Sequence, residues 1–267
     1  MNDEFYIGYQ KKAPAGIATA IRSIAVAIMA LVVLVAGIVA AQQRLIDTGR
    51  FEFGESKTFN GVLYETPFPH LLLIGDRPDD ARRVLLTSFG KAGLPGFAEA
   101  GIGKRVRFDG SLIYRQNLTM IEMGEEASFQ VLGDPPASVS DAQSVARFGE
   151  VELTGELVDT KCFLGVMRPG VGKVHRACAS VCLRGGVPPG LLLRQTDGRS
   201  TVVMLAGAEG EPLDINPEWA ALEITVRGTL EAHGELPILR AKEVWISNGD
   251  DHELAGAEFE PTTYDFP

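Results

Sequence analysis

Hydrophobic and polar positions fall into two regimes along the chain. From Ser23 to Ala41 the sequence SIAVAIMALVVLVAGIVAA runs 19 residues without a charge, Asn, Gln or Pro. At ~1.5 Å per residue it predicts a helix of roughly 28 Å, the thickness of a bilayer's hydrocarbon core. Apolar on every face, it lacks the polar side that a soluble surface helix shows. After Phe51 the pattern changes to short β-type runs broken by Gly, Pro and Asp. Strands are predicted over 58–64, 71–74, 84–88, 106–114 and 118–123, and again over 151–159, 191–194, 201–205, 222–230 and 238–246.

The second set repeats the order of the first. F-N-G-V-L-Y at Phe59 to Tyr64 stands against L-T-G-E-L-V at Leu153 to Val158, and V-R-F-D-G-S-L at Val106 to Leu112 against I-T-V-R-G-T-L at Ile224 to Leu230. The two glycines are 49 residues apart in the first set (61 to 110) and 73 in the second (155 to 228). The 24-residue excess matches the only cysteine-bearing stretch, Lys161 to Gly186. An internal duplication with a segment inserted into the second copy is therefore expected. Five short strands with a mid-strand glycine resemble a small Greek-key barrel of the OB type. The fold expected is mainly β with an N-terminal transmembrane helix and two tandem small OB-like β-barrels, the second carrying an inserted Cys/His-bearing helix.

These patterns divide the chain into a polar tail 1–22, a transmembrane helix 23–41, a juxtamembrane linker 42–56, a first lobe 57–123, a linker 124–149, a second lobe 150–247 with its insertion at 161–186, and an acidic tail 248–267. The linker's paired prolines and small polar residues predict little structure beyond a short helix around Asp141 to Arg147. A cleaved signal peptide is the competing reading of the apolar segment, since Val39 and Ala41 precede Gln42 in a small-residue pattern. The 22-residue lead-in is long for that, so an uncleaved anchor is preferred. Lys11, Lys12 and Arg22 before the helix balance Arg44, Arg50 and Lys57 after it, and flanking charge does not set the orientation. A short tail followed by a long body is the usual form of a signal anchor, which places the body outside the cytoplasm. The net charge of −10 lies almost wholly in the body, which argues against nucleic acid as a partner.

Candidate chemistry gathers in KCFLGVMRPGVGKVHRACASVCLRGGVPPG, Lys161 to Gly190, which holds all three cysteines and one of four histidines. Lys173 to Arg184 reads as a helix stopped by Gly185 and Gly186, with Pro188 and Pro189 preventing its continuation. His175, Cys178 and Cys182 fall within about 60° of one another on that helix, and Cys162 arrives from the preceding strand. Lys173, Arg176, Ser180 and Arg184 occupy the other side, read as a solvated face. Cys162, His175, Cys178 and Cys182 make a sufficient set for one tetrahedral metal ion, with zinc preferred. Met167 as an extra thioether would suit copper. That mixture resembles part of the binuclear copper motif of cytochrome oxidase subunit two, with the order of His and Cys reversed. A Cys3His iron–sulfur cluster is a further option. Against these stand a disulfide from Cys162 to Cys178 or Cys182 with one thiol left over, and simple packing of a small-residue face.

His70, after a Pro-Phe-Pro turn, is a weaker candidate to face the site from the other lobe. His233 and His252 read as solvated. GFAEAGIGK at Gly96 to Lys104 lacks the P-loop spacing, and no Ser-His-Asp or paired-carboxylate set can be assembled. EFYIGYQKKAP before the anchor, FEFG and GVLYETPFP after it, and HRACASVCLRGGVPP look like uncharacterised bacterial single-pass membrane proteins. That resemblance implies bacterial origin and a membrane location, hence an inner-membrane protein with its body in the periplasm, and brings no catalytic residues. The function expected is a membrane-anchored accessory or binding subunit of a membrane protein complex, more a binding protein than an enzyme. A copper or iron–sulfur electron-transfer protein and a thiol–disulfide or copper-handling factor are the alternatives.

Overall fold

The computed structural model of the protein describes residues 13–43, 49–74, 82–116, 118–135, 145–194 and 200–247. The chain divides into two units, residues 1–47 and 48–267. The first is built on helix α1, Ala15–Gln43. It begins eight residues before the predicted span, directly after Pro14, whose carbonyl accepts the Ala18 N–H at 2.9 Å. A proline fits the start of a helix because its missing N–H would have had no partner there. Among the described residues α1 is the one helix long and apolar enough to cross a membrane, over Ala15–Ala41. At ~1.5 Å per residue that stretch is about 40 Å long, and Arg22 lies within it.

The second unit carries two closed five-stranded barrels. The first is built from β2 (Lys57–Tyr64), β3 (His70–Leu73), β4 (Arg82–Thr87), β5 (Arg105–Arg115) and β6 (Leu118–Met123), in the ring order β2-β3-β4-β6-β5. Two short strands, β1 (Arg50–Phe51) and β7 (Gln130–Gly133), pair with β5 beside the ring. The second uses β8 (Val145–Asp159), β9 (Pro189–Arg194), β10 (Ser200–Gly207), β11 (Glu223–His233) and β12 (Leu236–Ile246), in the order β8-β9-β10-β12-β11. The two rings share one topology. Each has a single parallel pair, β4 with β6 and β10 with β12, and is otherwise antiparallel.

The glycines that align the two halves in sequence do the same work in each barrel. A Cβ on Gly61 would lie 2.4 Å from the Leu72 carbonyl oxygen, and one on Gly155 2.5 Å from that of Leu192. Gly110 and Gly228 meet the carbonyls of Glu122 and Arg240 in the same way, at 2.6 and 1.9 Å. At each bend the neighbouring backbone occupies the space a side chain would need.

Each barrel has its own apolar filling, centred on Leu63, Phe108 and Ile121 in the first and on Leu157, Val203 and Leu239 in the second. A third buried cluster joins them, with Phe68, Leu85 and Met120 from the first barrel against Phe163, Met204 and Ile238 from the second. The expected linker is partly structured: β7 falls inside it, and Val145–Arg147 pair with β11 rather than forming a helix. The rest of that predicted helix, 141–144, lies outside the described residues.

Candidate metal centre

β8 ends at the fully buried Asp159, and the chain turns at once into a π-helical turn, Cys162–Val166. Asp159 shapes that turn by accepting the Cys162 N–H on Oδ1 at 2.8 Å. Thr160 ties it to the returning GGVPP segment, donating its N–H and hydroxyl to the Pro188 carbonyl at 3.2 and 2.8 Å. β1 packs on the same turn, so that a Cβ on Gly49 would lie 2.0 Å from the Leu164 carbonyl oxygen. The cysteine helix α2 spans Arg176–Arg184, three residues shorter at its start than predicted, because Lys173–His175 form a turn. Helix α2 stops where the glycines were expected to stop it, and the Val187 N–H returns to the Cys182 carbonyl at 3.0 Å.

These elements bring all four predicted ligands together with a fifth residue. The sulfurs of Cys162, Cys178 and Cys182 lie within 4.8 Å of one another, close enough to hold a metal ion. Ligand atoms of Asp159, Cys162 and His175 form a second, overlapping group on the same criterion. Cys162 belongs to both. His175 Nε2 sits 3.0 Å from Asp159 Oδ2, and both residues are buried. The Cys162 and Cys178 sulfurs are 4.0 Å apart, and all three thiols are free. The Cys162 thiol is pushed up from its usual range by its hydrogen bond to Cys182, by burial and by the Asp159 carboxylate. The same hydrogen bond lowers Cys182, against burial and with help from the Lys91 charge. The thiolate is the form that binds metal. Met167 follows the π turn and is exposed.

The first barrel reaches the site through the loop after β4. Lys91 Nζ donates to Cys178 Sγ at 3.1 Å, which raises the lysine's own pKa. Gly93 N–H donates to the Gly185 carbonyl at 2.8 Å, and a Cβ on Gly185 would lie 1.9 Å from the Lys91 carbonyl oxygen. On the other side Lys161, only 2% exposed, donates to the Ser88 and Gly90 carbonyls, both at 2.8 Å, and pairs with Glu122 at 2.5 Å. A buried ammonium is tolerated only when so fully partnered. The loop is thus pinned at both edges of the cysteine cluster.

Asp159, Lys91 and Lys161 were not singled out in the sequence. An aspartate three residues before Cys162 was the one available signal, since such a side chain can cap the following turn. The two lysines act across 71 to 87 residues of chain, and spacing carries no trace of them.

Other expectations are corrected. Ser180 is buried and donates to Glu218 Oε1 at 2.9 Å, while Arg176 and Arg184 bond the Glu218 carbonyl and carboxylate at 2.8 and 2.6 Å. Ser180 alone departs from the solvated reading: that side of α2 leans on the short 3-10 turn Pro217–Trp219, while Lys173, Arg176 and Arg184 remain exposed. His70 is buried away from the cysteines: its Nδ1 meets the Phe68 carbonyl at 2.9 Å and its Nε2 meets Arg83 at 2.5 Å. His233 is half-buried at the end of β11 and bonds Glu231 at 2.7 Å. His252 lies outside the described residues. The chain matches no family model, no curated protein and no solved structure.

Proposed function

We propose that this is a membrane-anchored, non-catalytic accessory or binding subunit of a bacterial membrane complex, with its body in the periplasm and one zinc ion in its second barrel on Cys162, Cys178, Cys182 and His175. The observation that carries the metal reading is the convergence of three sulfurs within 4.8 Å. Zinc–sulfur bonds of ~2.3 Å in a tetrahedron put sulfurs about 3.8 Å apart, close to the 4.0 Å between Cys162 and Cys178. The pairing of His175 with Asp159 supports the fourth position. A metal-bound imidazole commonly gives its other nitrogen to a carboxylate, which fixes the ring, and Nε2 is the nitrogen so engaged. Three thiolates and one imidazole complete a shell with no open position, the mark of a structural rather than a catalytic zinc.

One observation favours a second reading. The three sulfurs form a group of their own, while His175 is grouped with Asp159 and Cys162. An all-sulfur set suits copper(I), in a protein that handles or passes electrons through a soft metal. Elemental analysis of the full-length protein purified in detergent, beside its absorption spectrum and a thiol count, tests both. Stoichiometric zinc in a colourless protein, lost on Cys178→Ser substitution, is expected. Stoichiometric copper or an iron–sulfur chromophore would move the assignment to electron transfer, and a metal-free protein would end it.

A further inference from the structure

The three thiols are not equivalent. Cys162 and Cys182 are buried, and Cys178 is partly exposed. Cys178 lies on α2 three residues before Val181, which is 43% exposed, and the turn that leads into α2 carries Val174, which is 84% exposed. An incoming group meets this sulfur first. Across the site, on a different element, the Cys162 sulfur lies 4.0 Å from it. Closing that gap to the ~2.05 Å of a disulfide needs about 2 Å of approach. Cys182 is a poor partner for Cys178, because two cysteines four apart on one helix are badly oriented for a bond. The Lys91 ammonium, 3.1 Å from Cys178 Sγ, stands beside the sulfur that would carry negative charge during exchange.

We propose that Cys178 and Cys162 are a thiol–disulfide exchange pair, with Cys178 as the attacking sulfur and Cys162 as the resolving one, and that their oxidation expels the metal. The co-reactant is a disulfide, of a small thiol or of a protein. Cys178 sulfur attacks one sulfur of that disulfide, forming a mixed disulfide and releasing the first thiolate. The released thiolate takes the proton that Cys178 carried as a thiol. Cys162 sulfur then attacks Cys178 sulfur, the Cys162–Cys178 bond forms, and the second thiolate leaves with the proton from Cys162. Two protein thiols are oxidised and one disulfide is reduced to two thiols. Cys182 stays reduced, and the site has lost two of its three sulfur donors.

Metal expulsion rests on the zinc reading, whereas the exchange chemistry needs the thiols alone. The test therefore uses full-length protein in detergent, reduced, in zinc-treated and chelator-treated halves. Each is mixed with glutathione disulfide, mapped by mass spectrometry of its peptides, and followed for zinc release with a chromophoric chelator. The expected product in both halves is a Cys162–Cys178 bond with one thiol remaining, and one zinc released per bond formed in the loaded half. Cys182→Ser should still form the bond, Cys162→Ser should stop at a mixed disulfide on Cys178, and Cys178→Ser should form neither. A bond to Cys182, a persistent mixed disulfide in the unsubstituted chain, or no oxidation of the chelated half would overturn the proposal. Bond formation in a protein that never takes up zinc would uphold the exchange pair while removing the metal reading.

Discussion

Buried ionisable side chains persist only where their hydrogen-bonding capacity is met, and three of them show different solutions. Lys161 collects two carbonyls and a carboxylate. Asp159 divides its oxygens between a backbone N–H and an imidazole. His70 is lowered from 6.5 to about 4, chiefly by burial and further by the Arg83 guanidinium, against the pull of its hydrogen bond to Phe68. A histidine depressed in the folded state binds fewer protons there than when unfolded, so stability rises with pH across the window between the two values. Its contribution is complete above about 6.5 and is lost as pH falls towards 4. Between pH 7 and pH 5 the loss from this one ring is about 2 kcal/mol. Denaturant unfolding of the full-length protein at those two pH values should show it, and His70→Gln should flatten the difference by that amount. An equal pH dependence in the variant would mean that the ring titrates normally. Apart from the local cap of Asp159 on Cys162, these roles were not legible in the sequence, because they depend on partners from another strand or loop. The cysteine spacing was legible because its members share one helix face and one preceding turn.

At the level of elements, alternation and glycine placement were enough to find the ten strands of both rings, and each predicted strand overlaps an observed one. The ends that escaped have physical reasons. β1 and β7 are two and four residues long. The first six residues of β8 are exposed, so no burial rhythm marks them. The π turn has no sequence rhythm of its own, and its shape comes from the Asp159 cap and the packing of β1. The repeated glycines make the stronger claim, because the same backbone approach recurs in both barrels. Gly61→Ala and Gly155→Ala should each cost about 1–3 kcal/mol, the usual range for overpacking, and the two costs should be similar. Thermal unfolding of both variants would measure this. Wild-type stability in either one would show that its barrel bends for some other reason.

Across residues 48–267 the barrels are coupled by the loop after β4 on the cysteine helix, by polar links such as Lys161 with Glu122, and by the apolar layer between the rings. Met204 lies fully buried in that layer, on β10, among side chains from both barrels. Truncation to Ala removes buried contacts and leaves a cavity, at a cost of about 2–5 kcal/mol. If the layer welds the barrels into one cooperative body, that cost is not confined to the barrel that carries Met204. Hydrogen exchange read at Val62 and Leu85 in the first barrel and at Val203 and Leu239 in the second should then show protection falling by similar factors in Met204→Ala. Two independent barrels would answer differently: amides of the second would exchange faster, while those of the first kept their protection. That outcome would reduce the layer to a contact surface and leave the polar links, among them the β4 loop and the Lys161–Glu122 pair, to carry the first barrel's action on the cysteine site. With coupling, a change in the cysteine cluster is felt in both barrels, and the first barrel becomes part of the site's support rather than a spacer beside it.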